Sequence, residues 1–358
     1  MQVPEEVLEK FILGFEGHTL PGELRRYLAA GLAGVILYPR NFSGAEELFS
    51  LTQEIRSAAG RPVLIGIDQE GGTRFSLPEP FTQWVSPEDL GRIGDPELVE
   101  RQARAMAKEL RAAGVNLDFA PMLDLHIQPE SPVTKGRSFG KNPQETGKFG
   151  AAFARGLAAE GILACAKHFP GHGDTVVDPH EDLPRFEGTL ERLREMELVP
   201  FRSAISAGVP LIMTAHISLP QVDPDWLASL SRKILDGILR EELKFGGAIL
   251  ADDLGMGAIA KRWPIGEAGA RVFSAGSDLA LICHDWKLVR PALEGAAQAV
   301  ARGELAGADW AASGERIGRL RKIVKAEVQV AGSRDVIGCA EHRELVREIR
   351  ARLAGNKS

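Results

Sequence analysis

Eight short apolar runs alternate along the chain with longer stretches that carry a helical pattern of apolar residues. Strands buried on both faces of a parallel sheet have such runs, and each strand needs a crossover helix before the next. Eight βα units predict a (β/α)8 TIM barrel, and an open doubly wound α/β sheet stays the alternative because the pattern does not prove closure. The runs are FILGF (11–15), AGVILY (33–38), PVLIGI (62–67), VNLDFA (115–120), GILACA (161–166), VPLIM (209–213), GGAIL (246–250) and LALIC (279–283).

The remaining sequence fits a single domain. Amphipathic helices that end at a glycine are predicted between the runs at 46–60, 96–114, 146–161 and 232–246. Two further helical segments, 288–328 and 340–354, are expected to pack on the barrel. No low-complexity linker or additional repeat divides the sequence, so residues 1–358 are predicted to form one domain.

Composition argues against several classes of function. With 26% charged residues and a net charge of −6, the chain gives no reason to expect nucleic acid or a membrane as a partner. No GxGxxG or GxxxxGKS motif follows a run, which argues against a nucleotide cofactor. Acidic residues stand where a secretory signal would be basic, so we expect a cytoplasmic protein. Cys165, Cys283 and Cys339 are far apart and odd in number, as reduced thiols are.

Ionisable side chains stand at the ends of all eight runs. In a barrel these positions converge on the C-terminal rim, where such enzymes keep their catalytic residues. Strand ends that simply meet water would explain any one of these residues, but they explain poorly why so many are ionisable. The residues are Glu16, Arg40 (with Asn41), Asp68, Asp124, Lys167, His168, His216, Asp252, Asp253 and His284.

The stretch AKHFPGHGDTVVDPHEDLP (166–184) holds three of the chain's eight histidines. His168 and His172 are four apart, which on a helix would place both on one face as metal ligands. Pro170 and two glycines make a helix improbable here. A metal-dependent hydrolase stays open on the residues alone, since several histidines and aspartates could meet at the rim.

The same stretch also contains a candidate proton-transfer pair. Asp178 and His180 are two apart, so in an extended loop both side chains point to the same side, and Pro179 restricts the backbone between them. A carboxylate beside an imidazole fixes its tautomer and gives a group that donates or accepts a proton near neutrality. Asp252 is a candidate nucleophile, because a carboxylate attacks an anomeric carbon whose transition state is cationic. A retaining glycosidase needs such a pair, although its usual acid is Asp or Glu.

The segment KHFPGHGDTVVDPH closely resembles the signature of glycoside hydrolase family 3, specifically its single-domain β-N-acetylglucosaminidases of the NagZ type. The resemblance covers roughly residues 10–345 in consistent order and implies a barrel fold. It extends through GVILYPRN (34–41), IDQEGG (67–72), FAPMLDL (119–125), GRSFG (136–140), MTAHI (213–217) and ADDLGM (251–256).

The resemblance implies a role for each matching residue. Asp178 and His180 correspond to the family's acid/base dyad, and Asp252 corresponds to its nucleophile. His172 and Asp174 are expected to shape the loop between the two ends of the motif. The residues that would bind the hydroxyls of the terminal sugar are Asp68, Arg74, Arg137, Lys167 and His168.

Three departures from the family pattern affect these expectations. Pro179 stands where relatives commonly have Ser, and ADDL replaces the usual SDDL, which removes one hydroxyl beside Asp252. After DQEGG the family typically continues RVxRF, whereas this chain continues TRF and is two residues shorter. The match of Arg74 to the family's sugar-binding arginine depends on that gap.

The resemblance predicts a monomeric retaining exo-β-N-acetylglucosaminidase (a β-N-acetylhexosaminidase) that needs no metal and no organic cofactor. Its substrate would be a small oligosaccharide with a terminal N-acetylglucosamine, derived from peptidoglycan or from chitin. A β-glucosidase or a phosphorylase on the same fold stays open, as does a non-catalytic sugar-binding barrel.

Overall fold

The computed structural model describes residues 3–73, 77–175, 183–327 and 333–355, and within them eight parallel strands close into a barrel. Neighbouring barrel strands follow one another along the chain, and the last pairs with the first. The predicted (β/α)8 fold is confirmed. The strands are β1 Phe11–Leu13, β2 Gly34–Ile36, β3 Leu64–Ile67, β4 Leu117–Asp118, β5 Leu163–Phe169, β6 Leu211–Thr214, β7 Ser218–Leu219, β8 Asp223–Leu227, β9 Ala248–Asp253 and β10 Leu279–Ile282, of which β7 and β8 form a separate antiparallel hairpin.

Helices surround the barrel and bury an apolar face against it. The α-helices are α1 Glu5–Leu8, α2 Gly22–Ala29, α3 Ala45–Ala59, α4 Pro87–Ile93, α5 Pro96–Ala112, α6 Pro143–Ala158, α7 Leu190–Glu195, α8 Leu198–Ser206, α9 Gly257–Ala260, α10 Ile265–Ser274, α11 Trp286–Ala301, α12 Gly307–Glu327 and α13 Ala340–Gly355. Short 3-10 turns occupy Pro39–Asn41, Ala228–Leu230 and Arg334–Val336, and a π-helix occupies Lys233–Glu242.

The predicted helix positions are close to the observed ones, with three differences. α6 begins before residue 146 because Asn142 accepts hydrogen bonds from the first free N–H groups of the helix. The segment 232–246 forms a π-helix that ends at residue 242. The segment 288–328 divides into α11 and α12, since Gly303 (φ 74°) and Gly307 (φ 78°) adopt the left-handed backbone conformation that ends and separates them.

Two barrel strands are longer than their apolar runs. β5 continues through Lys167 and His168 to Phe169, and β9 continues through Asp252 to Asp253. These polar residues therefore lie within the C-terminal ends of their strands, which agrees with the prediction that they stand at strand ends. Pairing with the neighbouring strands continues past the apolar runs, so the polar side chains lie on ordered strand rather than on loops.

The helix α12 closes the N-terminal end of the barrel. Ile317, Leu320 and Val324 of this helix belong to the same buried cluster as the side chains that fill the barrel interior. Two polar contacts attach α12 to the starts of strands: Lys10 Nζ donates to Ser313 Oγ (2.8 Å), and Arg316 pairs with Asp278 (2.9 Å). The expected packing of the C-terminal helices thus includes a plug at the N-terminal end of the barrel, opposite the C-terminal rim.

Leu320→Ala tests this role of α12. Leu320 is 3% exposed, so its truncation leaves a cavity at the base of the barrel, and we expect the free energy of unfolding to fall by about 2–5 kcal/mol. Ile323→Ala on the same helix is the matched control; Ile323 is 41% exposed, and its truncation should cost less than about 1 kcal/mol. Urea denaturation followed by tryptophan fluorescence measures both. Equal costs would contradict the assignment.

Candidate active site

A charge cluster lies at the C-terminal ends of β3 and β5 and in the loop after β4; it comprises Asp68, Glu70, Arg137 and Lys167. Lys167 Nζ lies 2.6 Å from Asp68 Oδ1 and 2.7 Å from Glu70 Oε1. Arg137 donates to both oxygens of Glu70, from Nε to Oε2 and from Nη2 to Oε1, at 2.7 Å each. Glu70 therefore joins the two cations, and the bidentate geometry fixes the plane of the guanidinium.

Because the charge cluster is buried, each of its charges needs a neighbour of opposite sign to offset the cost of leaving water. Burial by itself would raise the pKa of Glu70, but the charges of Arg137 and Lys167 hold it below its usual value. Burial would likewise lower the pKa of Lys167, and the two carboxylates raise it instead. Glu70, Lys167 and Arg137 are therefore charged at neutral pH, and each buried charge has a partner of opposite sign.

Within the charge cluster, Asp68 is the side chain most open to solvent. Its side chain is 15% exposed, against 1% for Glu70 and 3% for Lys167. A bound polar molecule at the rim would meet Asp68 first, in a site whose cations are already oriented. Charged groups held in this way recognise hydroxyl groups and reject ligands that lack them.

A second polar group is centred on Asp124, just after β4. This carboxylate is fully buried; its Oδ2 lies 2.6 Å from His168 Nδ1, and its Oδ1 accepts the His172 N–H at 2.6 Å. Because a carboxylate only accepts, His168 donates from Nδ1, and Nε2 is the second polar atom of its ring. Burial would raise the pKa of Asp124, but His168 and the hydrogen bonds lower it below its ordinary value.

His172 has a different environment from His168. Burial lowers the pKa of His172 to about 4, so the ring is neutral at pH 7. Its Nδ1 lies 3.0 Å from Thr175 Oγ1, and Gly171, at φ 131°, turns the chain so that the His172 N–H reaches Asp124. These contacts stabilise the loop, and the expectation that His172 shapes it stays a prediction.

The two adjacent aspartates of β9 differ in their surroundings. Asp253 is 6% exposed, and its Oδ1 accepts the N–H groups of Gly255 (2.9 Å) and Cys283 (3.1 Å). Asp252 is partly exposed, and its Oδ1 accepts the Asp253 N–H at 2.8 Å. Backbone contacts thus hold the Asp253 carboxylate in a buried residue, whereas Asp252 is partly exposed at the C-terminal end of β9.

His216, one of the histidines of the metal-site hypothesis, is engaged in other contacts. His216 is buried, with Nδ1 2.7 Å from Ser229 Oγ and Nε2 3.1 Å from the Asp253 carbonyl oxygen. Within residues 3–73, 77–175, 183–327 and 333–355, no three His, Cys, Asp or Glu side chains are grouped as a metal site. In the same ranges no helix is long and apolar enough to span a membrane.

Some of the predicted site residues are brought together, and others are not described. Asp68, Arg137, Lys167, His168 and Asp252 all lie on the C-terminal side of the barrel, as expected from their strand positions. Four further residues of the sequence predictions lie outside the described residues: Arg74, Asp178, Pro179 and His180. Their roles stay predictions.

Glu70 is a site residue that the sequence reasoning missed. It lies in the IDQEGG segment, two residues after Asp68, where an acidic residue next to glycines gave no indication of its partners. Its contacts come from Arg137 and Lys167, which are 67 and 97 positions away along the chain. The one signal in the sequence was that Glu70 is a second carboxylate close to Asp68, a candidate binding residue at the end of the same strand.

Comparisons with known proteins agree on one family. The model of the glycosyl hydrolase family 3 N-terminal domain matches residues 21–320. A β-hexosaminidase of Stenotrophomonas maltophilia is 39% identical over 76% of this chain and 83% of its own length, and one of Thiobacillus denitrificans is 38% identical over 77% and 79%.

Solved structures give the same result. A family 3 β-N-acetylglucosaminidase from Paenibacillus superposes with a TM-score of 0.94 at 34% identity, over 98% of this chain and 69% of that protein. NagZ from Neisseria gonorrhoeae, in complex with N-trifluoroacetyl-D-glucosamine, superposes with a TM-score of 0.76 at 31% identity, over 94% and 98%.

Glu70→Gln tests the compensation within the charge cluster. The variant keeps the shape of the side chain but leaves Arg137 and Lys167 buried with one counter-ion fewer, so we expect the free energy of unfolding at pH 7 to fall by about 3–5 kcal/mol. Because folding lowers the pKa of Glu70, its stabilisation is present above the ordinary value of 4.5 and is lost as the pH falls below it. The difference between wild type and variant should therefore narrow in acid.

The matched control is Glu100→Gln, which breaks the exposed ion pair between Glu100 and Arg155. Such a surface pair is worth about 0–1 kcal/mol. Urea denaturation of the three proteins across a series of pH values measures both effects. A similar cost for the two variants would contradict the role given to Glu70.

Proposed function

The chain belongs to glycosyl hydrolase family 3 and is a β-N-acetylhexosaminidase, and on this premise we propose that it is a retaining exo-β-N-acetylglucosaminidase with Asp252 as its covalent nucleophile. The observation that carries the proposal is the contrast on β9. Asp253 is buried and accepts two backbone N–H groups, and Asp252 is the partly exposed aspartate at the end of the strand. A covalent nucleophile must be accessible to the anomeric carbon, and Asp252 meets that requirement.

The terminal N-acetylglucosamine would bind between the charge cluster and His168. Asp68 is the accessible acceptor for sugar hydroxyls, and Lys167 and Arg137 are charged donors whose positions are fixed by Glu70. His168, oriented by Asp124 through Nδ1, offers Nε2 on the other side of its ring. Since these groups are buried and already oriented, a sugar that lacks a partner hydroxyl would leave a charged group unpaired.

The proposed acid/base is His180, assisted by Asp178, and it rests on the sequence and on the family resemblance alone. An imidazole next to a carboxylate is stabilised in its protonated form, as the first step requires. The neutral imidazole can then accept a proton from water in the second step. Arg74 is proposed as a further sugar-binding residue on the same grounds.

The reaction is a double displacement. In the first step the protonated His180 gives its proton to the glycosidic oxygen, the bond from that oxygen to the anomeric carbon breaks, and Asp252 Oδ forms an ester to that carbon. In the second step neutral His180 takes a proton from water, whose oxygen attacks the anomeric carbon and displaces Asp252. N-acetylglucosamine is released with retained configuration.

We propose small β-linked oligosaccharides with a terminal N-acetylglucosamine as the substrate class, derived from peptidoglycan or from chitin. The peptidoglycan source follows from the family resemblance in the sequence, which leaves chitin fragments as the second source. The proposed reaction uses no metal and no organic cofactor, because acid, base and nucleophile are all side chains of the protein.

A panel of aryl β-glycosides tests the activity and the sugar preference together. We expect release of the aryl group from the N-acetylglucosaminide, slower release from the N-acetylgalactosaminide, and least from the glucoside. The rates should not change with added phosphate or with a strong chelator. Faster turnover of the glucoside would favour a β-glucosidase, and a rate that depends on phosphate would favour a phosphorylase. Loss of activity with the chelator would favour a metal-dependent hydrolase. Absence of any turnover would favour a non-catalytic sugar-binding barrel.

Asp252→Asn tests the nucleophile. The amide cannot form the glycosyl ester, so we expect kcat to fall by at least about 1,000-fold while binding of N-acetylglucosamine is kept. Asp253→Asn is the control, because its amide oxygen can still accept the N–H groups of Gly255 and Cys283. Steady-state kinetics and a calorimetric titration with N-acetylglucosamine measure both properties. The assignment is wrong if Asp253→Asn proves to be the more damaging change.

A further inference from the structure

We propose that His216 is a positioning residue for the nucleophile: it is oriented by Ser229, it holds the main chain at Asp253, and it thereby fixes the direction of the Asp252 carboxylate. The inference rests on the proposed role of Asp252. His216 comes from the end of β6, and Ser229 comes from the 3-10 turn Ala228–Leu230 that follows the β7–β8 hairpin.

The hydrogen bonds of His216 determine which ring nitrogen carries the proton. Nε2 lies 3.1 Å from the carbonyl oxygen of Asp253, and a carbonyl oxygen only accepts, so Nε2–H is the donor. In the neutral ring Nδ1 is then the acceptor. Ser229 Oγ, 2.7 Å away, then donates its hydrogen to Nδ1 and so orients the ring whose Nε2–H reaches Asp253.

Asp253 is held from three sides. Its carbonyl accepts from His216 and from the Met256 N–H (3.0 Å), its carboxylate accepts from Gly255 and Cys283, and its own N–H donates to Asp252 Oδ1 at 2.8 Å. The last bond acts directly on the proposed nucleophile. A rotation of the main chain at Asp253 would change the direction of this N–H and with it the orientation of the Asp252 carboxylate.

The hairpin between β6 and β9 delivers Ser229 to this place. The Ala228 N–H donates to the carbonyl of Ile217 at 2.9 Å, which attaches the 3-10 turn to the residue immediately after His216. On the other side of the turn, Arg271 Nε donates to the carbonyl of Leu230 at 3.0 Å. Ser229 and His216 are both fully buried, so their bond is shielded from competing water.

Small errors in nucleophile position have large kinetic effects. Reacting groups need to be placed within about 0.5 Å and 10–20° of their productive geometry, and side chains reach that standard only when a second set of contacts fixes them. The Ser229–His216–Asp253 chain supplies such contacts for Asp252. Its loss should slow the attack on the anomeric carbon without weakening the binding of the sugar.

Ser229→Ala is the test variant, because it removes the hydroxyl that orients the His216 ring and changes little else in volume. Ser231→Ala is the matched control. Ser231 is also fully buried and lies at the end of the same 3-10 turn, but its hydroxyl donates to Asp223 (2.6 Å) rather than to His216. We expect Ser229→Ala to lower kcat about 10-fold with KM changed less than about 2-fold, and Ser231→Ala to leave kcat within about 2-fold.

The pre-steady-state burst of dinitrophenol release from a 2,4-dinitrophenyl N-acetylglucosaminide separates a misdirected nucleophile from two other causes of slow turnover. These are a defect in acid catalysis and a loss of correctly folded sites. That leaving group needs no proton, so a defect in the acid would disappear with it, whereas a misdirected nucleophile would still slow the burst. The burst amplitude counts correctly folded sites. We expect an unchanged amplitude and a burst rate about 10-fold lower for Ser229→Ala.

The outcomes distinguish this inference from the proposal on which it rests. Full turnover by Asp252→Asn would overturn the proposed nucleophile itself. If Asp252→Asn is inactive but the burst rate of Ser229→Ala equals that of wild type, the nucleophile stands and the role of His216 is wrong. A slow turnover of Ser229→Ala on a substrate whose leaving group needs a proton, together with a wild-type burst rate on the dinitrophenyl substrate, would show that the defect lies in proton transfer and would also overturn the role of His216.

Discussion

The ion pairs of Glu70 with Lys167 and Arg137 are the interaction on which the rest of the site depends. They join the end of β3, the strand β5 and the loop after β4. Two cations stay charged in a buried place because two carboxylates balance them, and that balance exists only when the barrel brings the three segments together. The parallel closure of the strands, including the plug formed by α12 at the opposite end, is therefore a condition for the binding chemistry and not only a scaffold for it.

Much of the fold could be predicted from the sequence, because apolar runs and helical periods are local properties of the chain. All eight runs overlap a barrel strand. The rest depends on contacts between distant segments. The extension of β5 through Lys167 and His168 results from continued pairing with its neighbours, and the insertion of α12 side chains such as Leu320 below the barrel interior results from tertiary packing. Neither the strand extension nor the insertion of the helix produces a periodic pattern of apolar residues in the sequence.

For the candidate site, the sequence identified residues but not their relations. It selected Asp252 over Asp253 by resemblance, whereas the structure adds a physical difference: Asp253 is buried and held by backbone N–H groups, and Asp252 is partly exposed. It gave no partners for Glu70, and it could not connect His216 to Ser229 because the hairpin that joins them is defined by its fold. In the proposed mechanism, the residues that bind the sugar, the nucleophile that attacks it and the residues that align the nucleophile lie on separate segments that meet at one end of the barrel.

The covalent step is the central claim, and trapping the intermediate tests it most directly. A 5-fluoro-N-acetylglucosaminyl fluoride slows the second displacement, so that the glycosyl-enzyme accumulates and can be digested and mapped by mass spectrometry. The account predicts one fluorosugar per chain, attached to Asp252. A label on Asp253, or full inhibition without any covalent adduct, would contradict it.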